Sequence, residues 1–230
     1  MLHSKLINKG DIDNIFTSLA DEYEALGGSK DVNIYLVGGA SIILNFEYRM
    51  STIDIDAYFN NSKTLEAAIK NVSSKLDLPK DWINQDFIKT PSYSNKILEK
   101  AKLFSKYGKY IKVFSFEPKY LIAMKLKSSR PTGGDLDDVI MMIYELRFKK
   151  VPISYKEVID AYNYLYSDFS NTYDYFLEKA KGAFEAPLED FSYLFEKWLL
   201  CGFDYQYLLQ MIKKTVLSTV LFIQESLLLP

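Results

Sequence analysis

The sequence contains a single histidine, His3, and a single cysteine, Cys201, among its 230 residues. One cysteine cannot form an internal disulfide, so the composition fits a reducing compartment. The scarcity of both residue types argues against a Ser-His-Asp or Cys-His catalytic site and against a His/Cys zinc site. Any metal chemistry must therefore depend on carboxylates, the ligands that suit Mg²⁺ or Mn²⁺.

Long apolar runs are also missing. No stretch reaches the length of a transmembrane helix, and the nearest case, residues 216–229, is interrupted by Gln224 and Glu225. Residues 1–5 contain no apolar segment of signal-peptide length. We therefore expect a soluble, cytoplasmic protein without a membrane partner.

Charge is present but unevenly distributed. The chain has 28 basic and 30 acidic side chains and a formal net charge of −2. Residues 89–130 contain 11 basic and 2 acidic side chains, whereas both flanking segments are net acidic. This segment is called the basic block below. The overall charge alone therefore says little about phosphate-rich partners.

Apolar periodicity predicts an α/β region followed by a helical region. In the first region we expect strands at residues 33–37, 53–59 and 109–116 and helices at residues 11–27, 40–46, 64–76 and 118–128. Residues 129–134 form the clearest linker, which predicts two domains, residues 1–130 and residues 131–230. In the second domain we expect helices at residues 135–146, 154–166, 171–180, 188–200 and 205–228.

Two short segments carry residue types that are suited to chemistry. Gly38 and Gly39 form a turn between a predicted strand and helix, where backbone N–H groups can approach a phosphate. Ser41 adds a hydroxyl donor to that turn. Asp54 and Asp56 lie two residues apart on a predicted strand, so their side chains share one face at a separation of roughly 6–7 Å.

The two aspartates repel each other unless a cation lies between them. A pair of carboxylates on a rigid strand suits Mg²⁺ bound together with a nucleoside triphosphate. Their neighbours Ile53, Ile55 and Ala57 are expected to face the core. Each segment alone is common as a plain turn or a solvated strand, but their combination in this order favours a nucleotide site.

The two segments together resemble a known signature. GGAS at residues 38–41, followed by RMSTIDID at residues 49–56, is similar to the signature of the polymerase-beta-type nucleotidyltransferase superfamily. Within it, the chain resembles the bacterial branch that includes abortive-infection and toxin–antitoxin nucleotidyltransferases. A second block, AMKLKSSR at residues 123–130 followed by DLDD at residues 135–138, resembles the lysine helix and Asp-x-x-Asp pattern of these relatives.

The resemblance implies an α/β (α+β) fold, in which a small mixed sheet flanked by helices is followed by a C-terminal helical bundle. It implies that Asp54 and Asp56 bind Mg²⁺ or Mn²⁺, that Lys125 neutralises phosphate charge and that Asp135 lies near the site. The residues that it places against the nucleotide are Gly38, Gly39, Ser41, Arg49, Thr52 and Lys125. Arg49 has the alternative of pairing with Glu47.

One departure from the family pattern concerns a third carboxylate. Members usually carry it on a later strand, where it often acts as the base for the attacking hydroxyl. The strand predicted at residues 109–116 contains no Asp or Glu. Glu117, just past that strand, and Asp135, at the start of the next helix, are the candidates to replace it.

The resulting hypothesis is an enzyme that transfers a nucleoside monophosphate from an NTP to a hydroxyl of RNA, with tRNA as one example, of a protein or of a small molecule. By the resemblance, a toxin-like role and a cognate antitoxin partner go with it. We expect the basic block to line one wall of the nucleotide cleft, unless its lysines are scattered over a solvated surface. The alternative function is a catalytically decayed binding module for a protein or RNA partner.

Overall fold

The structure is a computed structural model that describes residues 6–130, 132–151, 153–167, 172 and 174–187. All of them fall within one compact unit, Met1–Leu188. The helices predicted at residues 188–200 and 205–228 lie outside the described residues, as does Cys201. The boundary between domains of residues 1–130 and 131–230 therefore stays a prediction.

The described residues form an α/β arrangement. The strands are β1 (Ile7–Asn8), β2 (Val32–Leu36), β3 (Ser51–Thr52), β4 (Ile55–Phe59), β5 (Ile83–Asn84), β6 (Ala101–Tyr107) and β7 (Ile111–Phe116). The α-helices are α1 (Lys9–Ala25), α2 (Gly38–Asn45), α3 (Lys63–Leu76), α4 (Pro118–Ser128), α5 (Asp135–Phe148), α6 (Tyr155–Leu165) and α7 (Asp174–Glu185). Two 3₁₀ helices, Asp86–Lys89 and Asn95–Lys100, connect β5 to β6.

Five strands form one mixed sheet in the order β5-β4-β2-β7-β6. The central strand β2 pairs antiparallel with β4 and parallel with β7. β5 runs parallel to β4, and β6 runs antiparallel to β7. β1 and β3 form a separate antiparallel ribbon. The predicted fold class, a small mixed sheet flanked by helices and followed by further helices, is confirmed.

The core lies on one face of this sheet. Side chains alternate along each strand, and Ile34, Ile55, Ala57 and Val113 are fully buried against the apolar faces of α1 and α3. Ile55 and Ala57 therefore face the core as predicted. The same prediction for Ile53 is wrong, because residue 53 lies ahead of β4 and its side chain is 60% exposed.

α1 begins earlier than the sequence pattern predicted. The Asn8 side-chain oxygen accepts a hydrogen bond from the Asp11 backbone N–H at 3.0 Å, and the Asp11 carboxylate accepts one from the Asn8 N–H at 3.0 Å. This reciprocal pair is a capping box. Asp11, at which the predicted helix started, is the third residue of the helix.

The helices after the sheet follow the predicted periodicity. α4 contacts α5 and α6, and α5 contacts α7. β6 was not predicted, because it is an edge strand whose residues are mostly exposed and show no strict apolar alternation. No helix in the described part of the chain combines the length and apolarity that crossing a membrane requires.

Candidate active site

The candidate site begins at the junction of β2 and α2. Val37 donates its backbone N–H to the Asp56 carbonyl oxygen at 2.9 Å, so the glycine turn lies beside the aspartate strand. Gly38 has a φ of +57°, a left-handed conformation that L side chains rarely adopt. A Cβ atom at Gly38 would lie 2.6 Å from Asp56 Oδ2. Glycine is required here because a carboxylate packs directly against the backbone.

We expect Gly38→Ala to lower the free energy of unfolding by about 2–3 kcal/mol. Left-handed strain accounts for about 1 kcal/mol, and the contact with Asp56 adds an overpacking cost. Gly27→Ala is the matched control, because Gly27 has a φ of +80° and no atom within 4 Å of its Cβ position. Denaturant unfolding measures both; equal losses would contradict the packing of Asp56 on the turn.

Asp54 and Asp56 approach from the neighbouring strand. Asp56 lies in β4 and is partly buried, whereas Asp54 lies in the bend that precedes β4. The prediction that both aspartates lie on one strand is therefore wrong for Asp54. Asn84 Nδ2, on the adjacent β5, donates to Asp54 Oδ2 at 3.0 Å. Burial, followed by the negative charge of Asp54, raises the pKa of Asp56 to about 6. Two carboxylates are therefore held together at a cost in electrostatic energy.

The carboxylates of the site can be compared with the ligands that a divalent cation requires. Within the described residues, no three His, Cys, Asp or Glu side chains are grouped so as to hold a metal ion. Mg²⁺ needs fewer protein ligands, because it usually keeps several waters and is bound by one or two carboxylates plus substrate phosphates. Asp54 and Asp56 fit this requirement. Burial is the main cause of the raised pKa of Asp56, and the negative charge of Asp54, which a cation would relieve, adds to it.

A cleft with a volume of about 190 Å³ opens beside Asp56. α4 and the segment that follows it contribute part of its lining, and residues 86–92 contribute another part. Apolar side chains of Phe87, Leu121 and Met124 line it together with polar groups. The charged residues of the lining are Asp56, Asp86, Lys125, Arg130 and Asp135, and Gly38 contributes backbone at the start of α2.

Lys125 and Arg130 reach this cleft from α4 and the residues after it. Lys125 Nζ lies 2.8 Å from Asp135 Oδ1, and the Arg130 Nε and Nη2 atoms each lie 2.9 Å from an Asp135 oxygen. Asp135 is fully buried. Burial acts to raise its pKa, but the hydrogen bonds from Arg130 and the charge of Lys125 outweigh burial and hold the pKa well below its usual range.

The other residues that were predicted to contact the nucleotide differ in their burial and in their partners. Arg49 pairs with Asp138 at 2.9 Å, and its Nη2 lies 3.0 Å from the Cβ position of Gly39. Thr52 Oγ1 lies 2.5 Å from the same position. Ser41 is fully buried, and its Oγ lies 2.8 Å from Ser115 Oγ. The structure thus gathers Gly38, Asp56, Lys125 and Asp135 around the cleft and places Ser41 inside the protein; their roles stay predictions.

Comparison with known families gave one match. The model of a family described as a nucleotidyltransferase of unknown function (DUF6036) matches residues 14–181. The chain belongs to this nucleotidyltransferase family. No curated protein and no solved structure matched the sequence. Membership of a nucleotidyltransferase family is confirmed, whereas the polymerase-beta-type superfamily and its abortive-infection and toxin branch stay predictions.

Glu117 and Asp135 are the two predicted candidates for the third carboxylate of this nucleotidyltransferase. Glu117 pairs with Lys102 and with Lys119, and the hydrogen bond from Lys102 lowers its pKa. Asp135 lines the cleft but is engaged by two cations. A different carboxylate, Asp86, lines the cleft and contributes to raising the pKa of Asp56.

Sequence reasoning missed Asp86. It follows β5, a strand of two residues that pairs with β4 beside Asp56. So short a strand has no detectable alternation. The remaining signal of Asp86 in the sequence was its negative charge, which does not single it out in a chain with 30 acidic residues.

The basic block does not form a wall of the cleft. Of its 11 basic residues, Lys125 and Arg130 line the described cleft. Others pair with carboxylates on different elements, as Lys112 does with Asp31 at 2.5 Å and Lys102 with Glu117. The structure corresponds to the alternative, in which most of these lysines are spread over the surface.

Proposed function

We propose that the protein transfers a nucleoside monophosphate from an NTP to an acceptor hydroxyl in a metal-dependent reaction. One observation carries the proposal: the Asp56 carboxylate packs against Gly38 at the N-terminus of α2, in the same cleft that Lys125 and Arg130 enter. Such a cleft joins a backbone phosphate cradle, a metal-ligating carboxylate and cations within reach of one triphosphate.

Asp54 and Asp56 would hold Mg²⁺ or Mn²⁺, which neutralises charge on the reacting phosphates when bound. The chain's own groups bind and orient the nucleotide. Backbone N–H groups at the start of α2 bind phosphate oxygens, and Lys125 opposes their negative charge. Asp86, whose ion pair with Lys89 is largely exposed and therefore weak, is the cleft carboxylate that would accept the proton of the acceptor hydroxyl.

The proposed reaction is a displacement at the α-phosphorus. The acceptor oxygen forms a bond to this phosphorus, the bond to the bridging oxygen breaks, and pyrophosphate leaves with its electron pair. The hydroxyl proton passes to the base. Since this transfer depends mainly on positioning and on charge stabilisation, the protein supplies geometry and electrostatics rather than a covalent intermediate.

The chemical class of the acceptor is also part of the proposal. RNA, with tRNA as an example, a protein side chain or a small molecule each offers a hydroxyl. A toxin-like role in the cytoplasm, with a cognate antitoxin, is the biological form of the hypothesis. Growth arrest on expression that disappears with Asp54→Ala would support that role, and arrest that persists would oppose it.

A second candidate, a decayed binding module, is favoured by one observation. The described residues contain no cluster of three potential metal ligands, and Glu117 is engaged by Lys102 and Lys119. Such a module would bind a protein or RNA partner without turnover. Metal-dependent NTP binding separates the two candidates. A site that has lost its catalytic function is not expected to bind metal and triphosphate together.

The experiment uses the full chain with each of four α-labelled NTPs and Mg²⁺ or Mn²⁺. Total RNA, a protein extract and small alcohols serve as separate acceptors, and calorimetry measures NTP binding with and without metal. We expect label transfer to one acceptor class and binding that requires metal. Binding without metal, combined with no transfer to any acceptor, would favour the binding module.

A further inference from the structure

Asp138, on the first turn of α5, is a meeting point for three side chains from different parts of the chain. Tyr48 Oη donates to Asp138 Oδ1 at 3.0 Å. Arg49 Nη1 lies 2.9 Å from Asp138 Oδ2, and Lys125 Nζ lies 2.7 Å from the same oxygen. The Asp138 side chain is 10% exposed, so these contacts are made almost entirely out of water.

The two cations held by Asp138 belong to opposite parts of the candidate site. Arg49 lies against Gly39 of the glycine turn, with Nη2 3.0 Å from the Cβ position. Lys125 lines the cleft from α4. A single carboxylate therefore fixes the distance between a cation at the phosphate cradle and a cation on the facing helix.

The loop that carries Tyr48 and Arg49 is itself attached to α5. Glu145 is 1% exposed, and its carboxylate accepts hydrogen bonds from the backbone N–H groups of Glu47 and Tyr48 at 2.9–3.0 Å. Burial, followed by the charge of Asp138, raises the pKa of Tyr48 well above its ordinary value, so its hydroxyl stays a donor. α5 thus anchors the loop at two points, seven residues apart on the helix.

We propose that Asp138 is a positioning residue that sets Arg49 and Lys125 as one pair of phosphate-binding cations. Buried charge pairs hold their partners in fixed geometry, and a misplacement of about 1 Å in a site of this kind costs about 100-fold in rate. The inference rests on the proposed function for the identity of the ligand, the triphosphate of a nucleotide. It gives a role to Asp138, the second aspartate of the Asp-x-x-Asp pattern, to which the resemblance assigned none.

Inorganic tripolyphosphate with Mg²⁺ is the probe, measured by calorimetry on the full chain. Lys125→Met is expected to weaken binding about tenfold in the wild-type background and only about twofold in an Asp138→Asn background. A lysine that Asp138 no longer positions contributes less to the binding of tripolyphosphate, so its removal has a smaller effect. Equal losses in the two backgrounds overturn the proposal. Asp138→Asn alone is expected to weaken binding about tenfold; tighter binding, which charge alone predicts, also overturns it.

Three further variants complete the test. Asp138→Glu keeps the charge and is expected to restore part of the coupling; coupling as weak as in Asp138→Asn counts against positioning. Asp160→Asn, which removes a carboxylate paired with Lys156 on the exposed face of α6, should bind like wild type. Tyr48→Phe keeps every charge and serves if Asp138→Asn does not fold; we expect binding about threefold weaker, and unchanged binding overturns the proposal.

The proposed function and this inference fail in different ways. A wild-type protein that binds tripolyphosphate with the expected coupling but transfers no labelled nucleotide disproves the transferase and leaves the positioning role intact. A wild-type protein that transfers nucleotide, with Lys125 and Asp138 acting additively, disproves the positioning role alone. Failure of the wild-type protein to bind tripolyphosphate overturns the inference directly.

Discussion

Asp56→Asn is expected to lower nucleotide transfer about a thousandfold while raising the stability of the ligand-free protein. The loss of transfer follows because one of the two proposed metal-binding carboxylates becomes neutral, and electrostatic groups of this kind contribute several kcal/mol to the transition state. The gain in stability follows because Asp56 is partly buried beside Asp54 and its pKa is raised to about 6.

The sign of the pH dependence follows from that raised pKa. Between pH 4 and pH 6 the folded protein binds more protons at Asp56 than the unfolded chain does, so this group lowers stability as pH rises. Above about pH 6 the destabilisation is complete, and it amounts to about 1–3 kcal/mol. Asp56→Asn removes it, so the gain should be present at pH 7.5 and small at pH 4.5.

Denaturant unfolding at the two pH values measures the gain, and labelled NTP measures the transfer. Asp160→Asn is the control, because it also replaces Asp by Asn but lies in an exposed pair on α6. An Asp56→Asn protein that is less stable than wild type at pH 7.5 would show that the pair is not electrostatically strained. Transfer at the wild-type rate would remove Asp56 from the proposed chemistry.

Asp135→Asn is expected to lower the free energy of unfolding by about 3–5 kcal/mol, the largest stability effect that we predict. The Asp135 side chain has no exposed surface, and it accepts hydrogen bonds from Lys125, from the Arg130 guanidinium and from the Arg130 backbone N–H. Removing its charge leaves the nearly buried Lys125 with one carboxylate, and breaking such buried pairs is costly. Asp160→Asn, which breaks the exposed Asp160–Lys156 pair, should lower the free energy of unfolding by less than about 1 kcal/mol.

The Asp135 effect has the opposite pH dependence from that of Asp56. Its pKa is depressed in the folded protein, so its contribution is present above the unfolded value near pH 4 and declines as pH falls below it. The difference between wild type and Asp135→Asn should therefore narrow in acid. Urea titrations at pH 7 and pH 3 measure it; a loss under 1 kcal/mol at pH 7 would contradict the role of Asp135 as the ionic partner of Arg130 and Lys125.

The parts of the site that the sequence predicted are those set by local geometry. A glycine pair that follows a strand acts within one or two elements, and the structure places Gly38 against Asp56, although Asp54 lies in a bend and not on the predicted strand. The helix of residues 118–128 was predicted with the bounds that α4 has, because Pro118 and the apolar period define it locally.

The parts that the sequence missed depend on contacts between distant segments. Asp138 meets Arg49 across 89 positions, and no pattern within either segment indicates that contact. Ser41 fits the motif by its residue type, yet it lies on the side of α2 that packs on Ser115. Burial of that hydroxyl is decided by the parallel pairing of β2 with β7, which local periodicity does not encode.

The parallel pairing of β2 with β7 also determines when the site forms during synthesis. Ile34 lies opposite Val113, so the central pairing closes a long loop before α4 can deliver Lys125 to the glycine turn. Asp135 and Asp138 emerge later still. A nascent chain therefore carries Asp54 and Asp56 well before it can assemble the cleft, and the proposed activity is delayed until more than half of the polypeptide has left the ribosome.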